Sequence, residues 1–208
     1  MSPNYVRNSI SEMGLIKPRR NLLECLMVKA ERVLSNGLPV MRGYAYNSDA
    51  RRSPLDDGSV DLVVTSPPYL TMQTYAWDNW LRLWFLGYDY HEVARRLFHT
   101  SSLERFCQFM RETLEEIHRV LREGGRCFIV IGMVKLKGVS INMAELIAPI
   151  AERAGLHPVR IIADQIPKAS KYLMYLRTDQ GVSRELILEL IKGDDIRSAE
   201  RSGVPEAI

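Results

Sequence analysis

Five consecutive residues, Thr65-Ser66-Pro67-Pro68-Tyr69, join groups that could do chemistry to a backbone that holds them still. Ser66 offers a hydroxyl, Pro67 a carbonyl aimed by two rigid rings, and Tyr69 a flat aromatic face. Neither proline has an N–H, so a strand ladder cannot run through them and must stop at Ser66 in a stiff loop. The set is built to orient a bound group. A cysteine nucleophile is no part of it, since Cys25, Cys107 and Cys127 all lie far from this loop in the sequence.

The elements that position the loop follow from pattern. Val60-Asp61-Leu62-Val63-Val64-Thr65 is a short β-branched run after the turn signal Asp56-Asp57-Gly58, as in a buried strand of a parallel sheet. Upstream, Asn21 with Glu24 makes a capping-box pattern, and Leu22, Leu23, Leu26, Met27, Ala30, Val33 and Leu34 recur at helical spacing until Gly37. A strand is expected over residues 39–46, ending in the polar turn Asn47-Ser48-Asp49. Downstream, Trp77, Trp80, Leu81, Trp84 and Phe85 suggest a short aromatic-faced helix. Ser101 with Glu104 should cap a longer helix from Leu103 to about Arg122, ended by Gly124-Gly125. A strand over residues 126–132 follows, then a helix over 143–154 capped by Asn142, and two last strands over 158–166 and 184–191. The alternation predicts an α/β fold with a mostly parallel sheet. Residues 1–20 are expected as an N-terminal arm, 21–195 as the folded unit and 196–208 as a flexible tail.

Composition bounds the function. The 208 residues are 46% hydrophobic and 25% charged, which excludes a disordered or fibrous chain. No window approaches the roughly 18 apolar residues of a membrane span. The N-terminus lacks the basic start and apolar run of a signal peptide, and three cysteines without a CxxC cannot all pair. A cytoplasmic location with reduced thiols is expected. His91, His99, His118 and His157 show no metal-ligand spacing, so no metal is expected. A formal charge of +3 permits nucleic-acid binding without requiring it.

The segment Asp57 to Tyr69, with Arg82-Leu83-Trp84-Phe85-Leu86-Gly87 after it, resembles the DNA amino-methyltransferases, whose catalytic loop is Ser-Pro-Pro-Tyr or Asp-Pro-Pro-Tyr at a strand end. The resemblance covers residues 38–192. It implies a Rossmann-like fold, S-adenosylmethionine as cofactor, DNA as substrate, and Ser66, Pro67, Pro68 and Tyr69 as the catalytic loop. The chemistry accounts for the residue types. An exocyclic amine is a poor nucleophile because its lone pair is delocalised into the ring. Accepting hydrogen bonds from the NH₂ group, at Ser66 Oγ and the Pro67 carbonyl, favours a geometry in which that lone pair leaves the ring plane. Transfer then depends mostly on positioning, and Tyr69 can stack the base, which must leave the duplex to be reached. Serine at position 66 resembles the cytosine-N4 subgroup, with adenine-N6 or an RNA base as alternatives. By the same resemblance Asp49, in Asn47-Ser48-Asp49-Ala50-Arg51, would contact the cofactor, as would Ser66 and Pro67. Trp77 could wall the base pocket. Arg51, Arg52, Lys135 and Lys137, with Arg95, Arg96, Lys168 and Lys171, could meet DNA phosphates, and the stretches 70–102 and 133–141 are the loops expected to approach DNA.

One expected part is missing. The family holds the methionine end of its cofactor on a Gly-rich turn of the type Phe-x-Gly-x-Gly, and no such turn occurs among the thirteen glycines. Without the strand that carries it, the run 60–65 would have an open edge, and the cofactor crevice would lack one wall. The expectation is therefore a catalytic-loop subunit of a split methyltransferase, whose partner chain supplies the Gly-rich motif and completes the sheet. The alternative from another class is a non-catalytic remnant or DNA-binding accessory subunit.

Overall fold

The computed structural model describes residues 3–14, 20–37, 41–70, 75–136, 138–165 and 184–193. It divides into two units, residues 1–46 and 47–208. In the first, α1 (Pro3–Met13) and α2 (Leu22–Leu34) are helical, so residues 3–13 of the expected arm form a helix. Asn21 caps α2 by accepting the Leu23 N–H, and Gly37 closes it at a φ of 77°. The strand expected over residues 39–46 is absent from 41–46, which are irregular; Gly43 interrupts the apolar pattern and no partner strand accompanies it among the described residues.

The second unit holds five described strands: β1 (Val60–Thr65), β2 (Leu121–Leu136), β3 (Val139–Asn142), β4 (Leu156–Gln165) and β5 (Arg184–Lys192). The sheet order is β1-β2-β5-β4, with β3 folded back on β2 as an antiparallel hairpin. β1 and β2 pair in parallel, while β5 lies antiparallel between β2 and β4. Thus β1, β2 and β4 run one way and β3 and β5 the other. Four described helices lie between β1 and β2: α3 (Tyr75–Asp78), α4 (Trp80–Phe85), α5 (Tyr90–Arg96) and α6 (Leu103–Val120); α7 (Met143–Arg153) connects β3 to β4.

Two local expectations are corrected. Ser102, not Ser101, caps α6, its hydroxyl accepting the Arg105 N–H. Nor do Gly124 and Gly125 end that helix. It stops at Val120, and both glycines lie inside β2, where the ladder to β1 shifts register between Val60 and Leu62. A Cβ on Gly125 would sit 2.8 Å from the Arg122 carbonyl oxygen, so the bulge needs glycine there.

One face of the sheet carries the core. Phe106, Met110, Leu114 and Ile117 of α6 and Met143, Ile147 and Ala151 of α7 pack on Cys127, Ile129, Ile131, Leu186, Leu188 and Leu190. Burial pushes the Cys127 thiol up to about 12. On the opposite face of β1, Leu62 and Val64 are 53% and 66% exposed. Among the described residues β1 pairs with β2 alone, leaving its other edge unpaired.

Candidate active site

The loop leaves β1 at its carboxyl end, beside the β2 ladder that pairs Thr65 with Ile129. Ser66 is exposed, Pro67 buried, Pro68 and Tyr69 half-buried, and Leu70 anchors the far end in the core at 2% exposure. Tyr69 packs against the core cluster, and its N–H donates to Tyr75 Oη at 3.2 Å. The loop thus presents an exposed hydroxyl on a stiff backbone with both flanks fixed.

Asp49 reaches the same place from a different direction. Residues 47–58 form a strap along α6. Arg51 Nη1 donates to Glu112 at 3.0 Å, the Ser53 N–H to Glu116 at 2.7 Å, and Arg119 pairs with Asp57 and donates to the Ser53 and Leu55 carbonyls. These partners climb α6 about one turn at a time, so the strap is pinned along its length. At its N-terminal end Asp49 accepts from Arg51 N, Nε and Nη2 at 2.9, 3.0 and 2.7 Å. Those bonds hold the Asp49 carboxyl down to about 2, so it is ionised at neutral pH.

Asp49 and Pro68 line one open cavity of about 1280 Å³, walled also by Phe98, Phe109, Arg96, Arg105 and Arg153. Phe98 and Phe109 stack with centroids 4.0 Å apart, and the Arg51 guanidinium lies 5.6 Å from the Phe109 centroid. The cavity therefore combines an anionic acceptor, an aromatic wall and several cations.

The remaining candidates are placed as follows. Trp77 is half-buried, edge-on to Tyr90 at 5.3 Å, and so pins α3 to α5. The Arg51 guanidinium is taken up by Asp49 and Glu112, whereas Arg52 is exposed. The Lys135 side chain, Lys137, Lys168 and Lys171 lie outside the described residues. Trp80 and Trp84, at the spacing of one packed helix face, are exposed instead. Sequence reasoning passed over Tyr75, Phe98, Arg105 and Glu112; it also passed over α5 within the stretch 70–102 read as loop, although Asp89 with Glu92 is a capping pattern and Asp89 does accept the Glu92 N–H. No described helix is long and apolar enough to cross a membrane.

An α/β sheet with a rigid Pro-Pro loop at the carboxyl end of a strand and a cavity beside it places the candidate site at the strand ends, where open α/β sheets bind ligands. The family model for DNA methylases of the N6/N4 methyltransferase type matches residues 60–188, and the chain belongs to that family. It is 34% identical over 116 residues to the type II methyltransferase M.BglII of Bacillus subtilis, a match covering 54% of this chain and 26% of that protein. Among solved structures, it is similar to a DNA modification methylase of Thermus thermophilus crystallised with S-adenosyl-L-methionine. That match has 23% identity and a TM-score of 0.45, over 76% of this chain and 58% of the other. The cytosine-N4-specific PvuII DNA methyltransferase is similar at 15% identity and a TM-score of 0.41, over 67% of this chain and 45% of the other. The chain thus spans about a quarter of the M.BglII length and less than two thirds of either solved relative.

Proposed function

We propose that this chain is the catalytic-loop half of a DNA amino-methyltransferase that uses S-adenosylmethionine and methylates cytosine N4, with the other half on a second polypeptide. The observation that carries this reading is the Ser66–Tyr69 loop at the end of β1, a strand whose other edge is unpaired among the described residues and whose outer face exposes Leu62 and Val64. A parallel strand bearing a site is ordinarily flanked on both sides. The flank here would come from the chain that also brings the Gly-rich turn.

Within the site, Ser66 Oγ and the Pro67 carbonyl accept the two N–H groups of the target amine and draw its lone pair out of the ring plane. The buried Pro67 keeps that carbonyl from moving as the amine arrives. Tyr69 flanks the base. S-adenosylmethionine supplies an electrophilic methyl group when bound. Ionised Asp49, bordering the same cavity as Pro68, fits the amine of its adenine. No residue of the sequence supplies the Gly-rich turn for its methionine end, so the residues present fit one end of that molecule. Arg52, with Arg96 and Arg105 at the cavity, provides the positive charge for a phosphate backbone.

The test is co-expression with the neighbouring reading frame, followed by digestion of the exposed DNA to nucleosides. N4-methylcytosine is expected, lost in Ser66→Ala and Tyr69→Ala complexes that assemble normally. N6-methyladenine, or methylated RNA, would replace the proposed substrate. No methylation by the wild-type complex would leave the accessory-subunit reading in its place.

A further inference from the structure

We propose that Tyr75 is a positioning residue for the catalytic loop, fixing the Tyr69 end of Ser66-Pro67-Pro68-Tyr69 through its phenol oxygen. The argument begins with what the two prolines remove. Neither has an N–H, so Tyr69 carries the first backbone donor after Ser66, and it is the only one within the Pro-Pro-Tyr stretch. That donor binds Tyr75 Oη at 3.2 Å. The one backbone donor at this end of the loop is thus held by a side chain from the next helix.

Tyr75 is itself held. Its carbonyl accepts from the Asn79 N–H at 3.3 Å and from Asn79 Nδ2 at 2.8 Å, which fixes the short α3 internally. The next residue, Ala76, is buried, and Trp77 locks edge-on to Tyr90 of α5. Tyr75 therefore ties the loop to a helix pair that has its own anchorage, and the anchorage is independent of β1. The loop is held from two sides: by β1 and buried Pro67 before the prolines, by Tyr75 and buried Leu70 after them. Loss of the phenol would let Tyr69 shift relative to Ser66, and a small misplacement of groups that only orient a base is costly in rate.

This inference rests on the proposed methyltransferase reading for its kinetic consequence but not for its structural one. The experiment compares the full-length wild-type chain with Tyr75→Phe, in complex with its partner. Amide-resolved hydrogen exchange should show the Tyr69 amide exchanging about tenfold faster in the variant, with amides of β2 unchanged. Methylation kcat should fall about tenfold while KM for S-adenosylmethionine stays within twofold, since the cofactor contacts are untouched. Unchanged exchange at Tyr69 overturns the tether, and faster exchange with unchanged kcat overturns the positioning role. A wild-type complex that methylates nothing overturns the functional reading instead, and the exchange measurement still decides whether Tyr75 holds the loop.

Discussion

Arg160 Nε donates to Glu189 Oε2 at 2.7 Å across the β4–β5 ladder, and Glu189 itself is fully buried. Arg126 of β2 takes the other carboxylate oxygen at 2.5 Å. One buried anion thus stitches three strands on the face opposite the core, between guanidiniums that stay partly in water. The arrangement predicts an asymmetry. Replacing both arginines by Met strands a buried carboxylate and should cost about 3–5 kcal/mol. Glu189→Gln keeps acceptor and volume and should cost roughly 1–2 kcal/mol. Urea denaturation of the three proteins measures this; equal losses would mean that the carboxylate charge is not what the arginines stabilise.

Gly155→Ala should destabilise by about 1–3 kcal/mol, the cost of a non-glycine residue in left-handed backbone. Gly155 ends α7 at a φ of 84°, and an added Cβ would lie 2.9 Å from His118 Nε2. The neighbouring imidazole has a lowered pKa, first from burial and then from Lys192. A base with a depressed folded pKa binds fewer protons folded than unfolded, so His118 should reduce stability as pH falls below its usual 6.5. Thermal melts of His118→Gln should lose that slope while wild type keeps it.

Acid should loosen the strap along α6 before the sheet unfolds. The Asp49 carboxyl is lowered from 3.8 to about 2 by Arg51, Glu112 is lowered by Gln108 and Arg51, and Glu116 by Arg119. Depressed folded pKa values mean that this stabilisation is complete above the usual carboxylate range and is lost as pH falls through the folded values. The Ser53 amide, bound to Glu116, is the reporter. Its NMR shift should move as pH falls below the usual glutamate value of 4.5 while the β2–β5 amides hold still; movement in step with them would refute an independently pinned strap.

The isolated chain should bind S-adenosylmethionine weakly. If the partner supplies several hydrogen bonds worth ~1 kcal/mol each, their absence costs orders of magnitude in affinity. Adding the partner should restore binding, and by linkage the cofactor should tighten the complex. A Leu62→Lys/Val64→Lys chain, altered only at exposed positions of β1, should keep its own stability and fail to capture the partner. Calorimetric titration decides it: micromolar binding by the chain alone would mean that its cofactor site is complete.

What the sequence made legible was local. Asn21 and Asn142 cap the helices their spacing predicted, and the β-branched run 60–65 is a strand ending at the prolines. Misreadings arose where one signal serves two structures. Gly124-Gly125 looks like a helix stop, yet glycines also permit a bulge, and only the approach of Arg122 and Asp61 backbone settles which. Within the site, the loop announced itself by composition, because prolines constrain the chain wherever they occur. Tyr75 did not, since a tyrosine six residues away becomes a tether only once α3 is folded. The long-range half of the Arg51 pairing was equally opaque: Asp49 lies two residues away, but Glu112 lies 61 positions along the chain and meets Arg51 only once the strap lies on α6.

The placement of β5 has a consequence for how the chain is made. This strand fills the middle of the sheet, between β2 and β4, although it is the last of the five in chain order. During synthesis, β2 and β4 must each wait with an unsatisfied ladder until residues 184–192 leave the ribosome. Closure of the sheet is thus a late event joining β2 to a segment about sixty residues away, the kind of non-local pairing that folds slowly. Ribosome-stalled chains that end before position 184 should accordingly be open to protease and bound by chaperones.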